Sequence, residues 1–187
     1  MRIISGDFRG KKINSPKDIK TRPLKDLTKE SIFNIISHSN KININFKNSN
    51  VLDLFSGVGS FGIECLSRGV KYVTFVENYD GVLNVLKKNV INLKGVDNYQ
   101  IIEKDINNNS FFSEINASYD IIFLDPPYKD KNLTKILKNI ITNKNLNENG
   151  IIIIHRHKKE NDLLPDSLNI IEKKIYGLSQ IIFLSEN

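Results

Sequence analysis

A single cysteine, Cys65, excludes an internal disulfide and any cysteine-rich metal cage, so the chain's 187 residues must hold together by burial alone. That length suffices for one domain with a full three-layer core. Long apolar runs are also missing. No stretch joins eighteen apolar residues without a charge, and no membrane span is expected. The opening twelve residues lack an uninterrupted apolar segment and a small-residue cleavage site, so a secretory signal is not expected either. These absences point to a cytoplasmic protein. With only three histidines (His38, His155 and His157) and one cysteine, no metal is expected. No exposed apolar helix suggests a partner, and a monomer is expected.

Acidic residues are scarce where basic ones collect. The chain carries a formal charge of +6, and residues 1–30 hold nine Lys/Arg against four acids. The basic residues there include Arg2, Arg9, Lys11, Lys12, Arg22 and Lys29. Charge concentrated in this way is the electrostatic footprint of phosphate binding. The rest of the chain is nearly neutral.

Residues 1–20 mix short apolar and basic stretches with Gly6, Gly10 and Pro16, and predict a small hairpin or extended arm. After Pro23 a helical pattern places Leu24, Leu27, Ser31/Ile32, Ile35 and Ile36 on one face. The asparagine-rich stretch 37–50 reads as a weakly ordered loop. From residue 51 strands and helices alternate. Strands are predicted at 51–55, 72–76, 99–103, 120–124 and 150–155, separated by helical segments. Two closing strands, 169–176 and 179–184, flank a Tyr-Gly turn too tight for a crossover helix and should be antiparallel. Ile121-Ile122-Phe123-Leu124 and the four isoleucines 151–154 suit strands buried on both faces of a parallel sheet. The expected fold is an α/β doubly wound, mostly parallel sheet with a C-terminal antiparallel hairpin. Residues 1–40 would form a basic extension and helix, and residues 41–187 a single catalytic unit.

The first chemical signal is the run from Asp53 through Gly62, in which a strand feeds a G-x-G-x-x-G turn that opens a helix. Glycines there let the chain turn with positive φ and let a nucleotide-like ligand lie against bare backbone. Asp53, Phe55, Gly57 and Gly59 are assigned to a cofactor. Glu77 ends the second strand, where a carboxylate can accept from a ribose diol. That would serve NAD or S-adenosylmethionine alike. Asp53 tilts the choice, because a carboxylate beside the loop repels a pyrophosphate and suits the cationic amino-acid end of S-adenosylmethionine. Asp105, after the third strand, is placed to bind the adenine amine.

The deciding motif is Asp125-Pro126-Pro127-Tyr128, directly after the fourth strand. Two prolines fix φ and donate nothing, which gives a stiff turn with outward carbonyls. An aromatic amine is a poor nucleophile because its lone pair is delocalised into the ring. Asp125 and the Pro126 carbonyl, each accepting one N–H, would aim that lone pair at a sulfonium methyl. Tyr128 offers a ring face to a base drawn from its stack. No strong base is required, since the proton is lost after the nitrogen becomes cationic.

With these motifs in place the sequence resembles the bacterial methyltransferases that modify the N2 amine of a guanine in 16S ribosomal RNA of the small subunit. The resemblance rests on Arg2 through Ile13, on Thr21-Arg22-Pro23 with Lys29 through Ile35, on Asp53 through Glu64 with Ser67-Arg68-Gly69, on the Asp-Pro-Pro-Tyr turn, and on Tyr176-Gly177. It implies a Rossmann-like fold, S-adenosylmethionine as cofactor, and 16S RNA, within the small subunit or an assembly intermediate, as partner. It also implies that Arg2, Arg9, Lys11 and Lys12 contact RNA and that Arg22 faces the active-site cleft. The chain departs from the family at Leu27-Thr28 and at His155, where a glutamate commonly stands. His155 and His157 read as surface or RNA-facing residues, and Cys65 as a packing residue.

Other readings keep part of the pattern. An adenine-N6 methyltransferase acting on DNA or RNA would use the same turn, but for DNA it usually needs a sequence-reading domain. An NAD-dependent oxidoreductase would use the glycine loop but has no use for Asp-Pro-Pro-Tyr. A non-catalytic RNA-binding assembly factor on the same fold should have lost the glycines or Asp125, and both are intact.

Overall fold

The structure, a computed structural model, describes residues 1–16, 24–108, 110–127 and 130–187. Among them α1 (Asp26–His38) precedes β1 (Asn50–Leu54), α2 (Ser60–Ser67), β2 (Tyr72–Val76), α3 (Asp80–Ile91) and β3 (Tyr99–Ile102). Then follow α4 (Phe111–Ile115), β4 (Tyr119–Leu124), α5 (Leu133–Thr142), β5 (Leu146–His157), β6 (Leu168–Tyr176) and β7 (Ser179–Glu186). The seven strands form one sheet in the order β3-β2-β1-β4-β5-β7-β6. β1 pairs in parallel with β2 and β4, and β4 with β5, while β7 runs antiparallel to both β5 and β6. This is the expected doubly wound sheet with its closing hairpin.

Strand alternation divides the core in two. Val51, Phe75, Ile121, Phe123, Ile151 and Ile153 point to one face, where α1, α2 and α3 pack. Leu52, Leu54, Ile122, Leu124, Ile152 and Ile154 point to the other, under α4 and α5. On α5 Leu133, Ile136, Leu137 and Ile140 follow helical spacing and are all buried. Because the β1–β2 connection crosses one face and the β3–β4 connection the other, a crevice opens at the carboxyl ends of β1 and β4.

The N-terminal segment makes one antiparallel bridge, Arg2 with Lys12, and buries Ile3 and Ile13 in the same cluster as the sheet. Its turn lies against the end of α2. A Cβ on Gly6, whose φ is +81°, would fall 1.7 Å from the Ser67 carbonyl oxygen, so only glycine fits there.

Helix α1 corrects two expectations. Leu27, expected on the buried face, is 81% exposed, and Lys29, counted with the basic surface, is fully buried. The buried stripe is Thr28, Lys29, Ile32, Phe33 and Ile36. Two contacts set this rotation. Phe33 stacks on Phe61 with centroids 5.2 Å apart, and the Lys29 ammonium lies 3.4 Å from Glu64 of α2. The loop after α1 is also better packed than expected. Ile42 is buried, Phe46 opens a 3₁₀ turn (Phe46–Asn48), and its ring lies 5.9 Å from Phe33.

Candidate active site

The crevice is a cleft of about 680 Å³ lined by Asp53, Phe55, Gly57, Glu77, Asp105, Asp125 and Pro126, among others. The sequence assigned all seven to the site, and the sheet brings them together from the ends of β1, β2, β3 and β4. Gly59 does not line the cleft. Its φ is +84°, and a Cβ there would come within 2.5 Å of Leu86, so it shapes the turn instead. Tyr128 and Arg22 lie outside the described residues.

Asp53, 1% exposed, accepts from the Gly62 amide at 2.9 Å. Burial pushes its carboxyl up to about 8, the Gly62 hydrogen bond opposes this, and the charges of Asp125 and Glu77 add to it. Glu77 is pinned by backbone donors: Gly57 donates to one oxygen at 2.8 Å, and Asn78 and Tyr79 donate to the other at 2.9 Å each. Asp105 closes a local turn by accepting from the Asn107 amide at 2.9 Å. Ser56 ties the loop to β2, donating to the Asp53 carbonyl and receiving the Val76 amide. Phe55 takes a φ of +58°, a strained conformation for a bulky residue, right where the chain bends around the cleft.

The cleft therefore gathers carboxylates with few cations, a setting suited to a positively charged ligand. S-adenosylmethionine brings an ammonium and a sulfonium, and the buried, proton-retaining Asp53 is the group such a charge would ionise. Three buried side-chain atoms without a partner among the described residues, Ser60 Oγ, Asn107 Oδ1 and His155 Nε2, also belong to lining residues. The residues present fit the cofactor. Asp53, Gly57, Glu77 and Asp105 would hold it.

Two residues at the end of β5 correct or extend the reading from sequence. His155 is not a surface residue. It is 8% exposed, and its Nδ1 lies 2.8 Å from Asp125 Oδ1. Burial lowers the imidazole's affinity for protons, but the hydrogen bond and charge of Asp125 more than offset this, and its pKa stands above the ordinary histidine value. Arg156, 1% exposed, points to the opposite face. It grips both oxygens of Asp162 at 3.0 Å and donates to the carbonyls of Pro127 at 3.2 Å and Asp130 at 2.9 Å. The proline turn is thus clamped from below by a guanidinium that the sequence did not single out. β4 and β5 pair in register through Leu124 and Ile154, so the next residues, Asp125 and His155, emerge side by side, a juxtaposition that only the pairing shows.

The basic arm lies elsewhere. Arg2, Arg9, Lys11 and Lys12 are exposed, but none of them lines the cleft. Residues 4–8 are held by Glu64 and Ser67, toward the carboxyl end of α2, whereas the cleft is at that helix's amino end.

Strand order, crossover faces and cleft position are those of the Rossmann-like methyltransferases. Within that class the chain belongs to the family described as Conserved hypothetical protein 95, whose model matches residues 1–185. The Ribosomal RNA small subunit methyltransferase D of Buchnera aphidicola (subspecies Baizongia pistaciae) is 35% identical over 93% of this chain and 85% of its own. The protein of the same name from Haemophilus influenzae is 30% identical over 95% and 90%. Among solved structures, the candidate methyltransferase YhhF of Escherichia coli superposes with a TM-score of 0.83 at 26% identity, over 100% of this chain and 97% of that one. The resemblance read from the N-terminal and Asp-Pro-Pro-Tyr motifs is borne out.

Proposed function

We propose that the chain transfers a methyl group from S-adenosylmethionine to the exocyclic N2 amine of a guanine in 16S ribosomal RNA of the small subunit. The observation that carries this reading is the Asp125-Pro126 turn, stiffened by proline and opening onto the same cleft as Asp53 and Glu77. The names of the relatives support ribosomal RNA of the small subunit as the substrate.

When bound, the cofactor supplies an electrophilic methyl on a sulfonium. The chain's own residues prepare the nucleophile. Asp125 and the Pro126 carbonyl accept the two amine hydrogens and hold the nitrogen nearer to tetrahedral, with its lone pair directed across the cleft. Asp125 then stabilises the positive charge that develops on that nitrogen, and the surplus proton leaves afterwards. Tyr128 is proposed to stack on the target base and Arg22 to face it. Residues 1–40, carrying Arg2, Arg9, Lys11 and Lys12, are proposed to contact the RNA backbone, with residues 41–187 as the catalytic unit. A nearly neutral body with a small basic arm favours a substrate assembled with protein, met by a monomeric enzyme.

The test is to supply methyl-labelled S-adenosylmethionine with unmethylated small subunits, naked 16S RNA or duplex DNA, then to identify the labelled nucleoside. N2-methylguanosine is expected, with subunits as the better substrate. Label in N6-methyladenine would keep the chemistry and overturn the choice of base.

A further inference from the structure

We propose that His155 is a positioning residue for methyl transfer, holding Asp125 through one carboxylate oxygen so that the other is left to receive the target amine. The inference rests on the methyltransferase reading but not on which base is methylated.

A free aspartate side chain turns about its own bonds, and either oxygen could meet the substrate. Here Oδ1 is taken by His155 Nδ1 at 2.8 Å, and among the described residues no side chain bonds Oδ2. An ionised carboxylate only accepts, so Nδ1 carries the proton whether the imidazole is neutral or charged. The histidine is dedicated to this contact. Its other nitrogen, Nε2, is buried without a partner among the described residues, whereas a histidine serving only the fold is ordinarily satisfied at both nitrogens. Its place is set by β5, whose pairing with β7 aligns it with Ile181. The next residue, Arg156, clamps the Pro127 and Asp130 carbonyls. Two consecutive β5 side chains thus fix the carboxylate and the turn that carries it, one from each face of the sheet.

The pair also makes the reaction sensitive to pH. A neutral His155 donates to Asp125 and leaves its full negative charge for the amine and the cationic nitrogen that forms. A protonated His155 neutralises much of that charge. Of the charged and titratable groups around the imidazole, Asp125 faces it from β4. Asp53, at β1, and Asp130, in the turn after β4, line the same cleft. β7 contributes the uncharged Ile181, while Arg156 and its partner Asp162 lie on the opposite face. The methyl-transfer rate should therefore rise with pH through the elevated pKa of His155.

Two variants separate positioning from simple support of the fold. His155→Leu removes the donor and the titration. His155→Asn keeps an N–H near the place of Nδ1 but cannot titrate. With labelled cofactor and small subunits, and any methylated nucleoside counted as product, kcat should fall 10- to 100-fold in His155→Leu, with little change in the KM for cofactor. His155→Asn should recover most of that loss and show no rise of kcat across the histidine range. In parallel, NMR titration of His155 in the cofactor-loaded protein should give a lower pKa in Asp125→Asn than in wild type. This second readout needs no substrate, so it distinguishes failure of the pair from a wrong choice of RNA. An unchanged pKa in Asp125→Asn, or a folded His155→Leu with wild-type kcat and pH profile, would overturn the proposal.

Discussion

Asp53 and Asp125 are both carboxylates in one cleft, and their surroundings give them different tasks. Asp53 is sealed beneath the glycine loop with a carboxyl raised to about 8, while Asp125 sits at the rim beside His155. Between the ordinary aspartate range and about 8 the folded protein holds a proton on Asp53 that the unfolded chain releases. Stability without cofactor should therefore fall as pH rises through that window. Asp53→Asn should remove this slope, so that its thermal midpoint gains on the wild type as pH goes from 5 to 8.5. The same change should weaken S-adenosylmethionine by roughly tenfold or more, since a charge-assisted contact is worth about 1.5–3 kcal/mol. A midpoint difference that is flat with pH, read by scanning calorimetry, would show that Asp53 is already ionised. Asp125→Ala should behave in the opposite way. Cofactor affinity, measured by isothermal calorimetry, should hold within a few-fold. Turnover should fall about 100-fold or more, the usual scale for losing a group that stabilises developing charge.

Helices α1 and α2 show how a charged cluster can hold an arm in place. Glu64, fully buried, accepts from the Ile4 and Ser5 amides at 2.8 and 2.9 Å and from Arg68 at 3.0 Å. Lys29 adds its ammonium and donates in turn to the Arg2 carbonyl at 2.8 Å. Glu64→Ala would leave two part-buried amides without their acceptor and a buried lysine without its counter-charge, at a cost of about 3–5 kcal/mol. Urea unfolding should show that loss, and amide exchange at Ile4 and Ser5 should accelerate ahead of the sheet. The same cluster explains what the sequence concealed. The inner strands β1, β2, β4 and β5 could be read from their apolar runs, because parallel strands buried on both faces have a strong pattern, and the closing pair from the tight turn between β6 and β7. The cleft could be read from Asp53, Glu77 and the proline turn, because each sits at a strand end. Lys29 and Leu27 could not, since helical spacing alone cannot weigh a buried ion pair against an exposed leucine. The surface placement of His155 fails for a related reason. Its neighbour in space, Asp125, is set by the register of β4 with β5, and only pairing reveals it.

At the scale of the whole molecule, chemistry and charge sit at opposite ends of α2. A helix of eight residues spans about 12 Å. RNA that reaches both the cleft and the arm must therefore bring a flipped base to one and backbone phosphates to the other. The arm would then contribute binding that depends strongly on salt, each neutralised phosphate adding about 0.7–0.9 to the slope of log affinity against log salt. Removing Arg9, Lys11 and Lys12 together should lower that slope by about 2 to 3 and raise the KM for RNA. Lys29 supplies the control. Although it lies among the same nine basic residues of the sequence, it is buried against Glu64 and meets no phosphate. Lys29→Met should reduce stability and leave the salt slope of the folded protein as it was. Filter binding to 16S RNA between 50 and 300 mM salt would check both outcomes. Loss of slope in Lys29→Met with none in the arm variant would place the RNA on α1 instead of on the arm, and the basic N-terminus would then be a solvated surface.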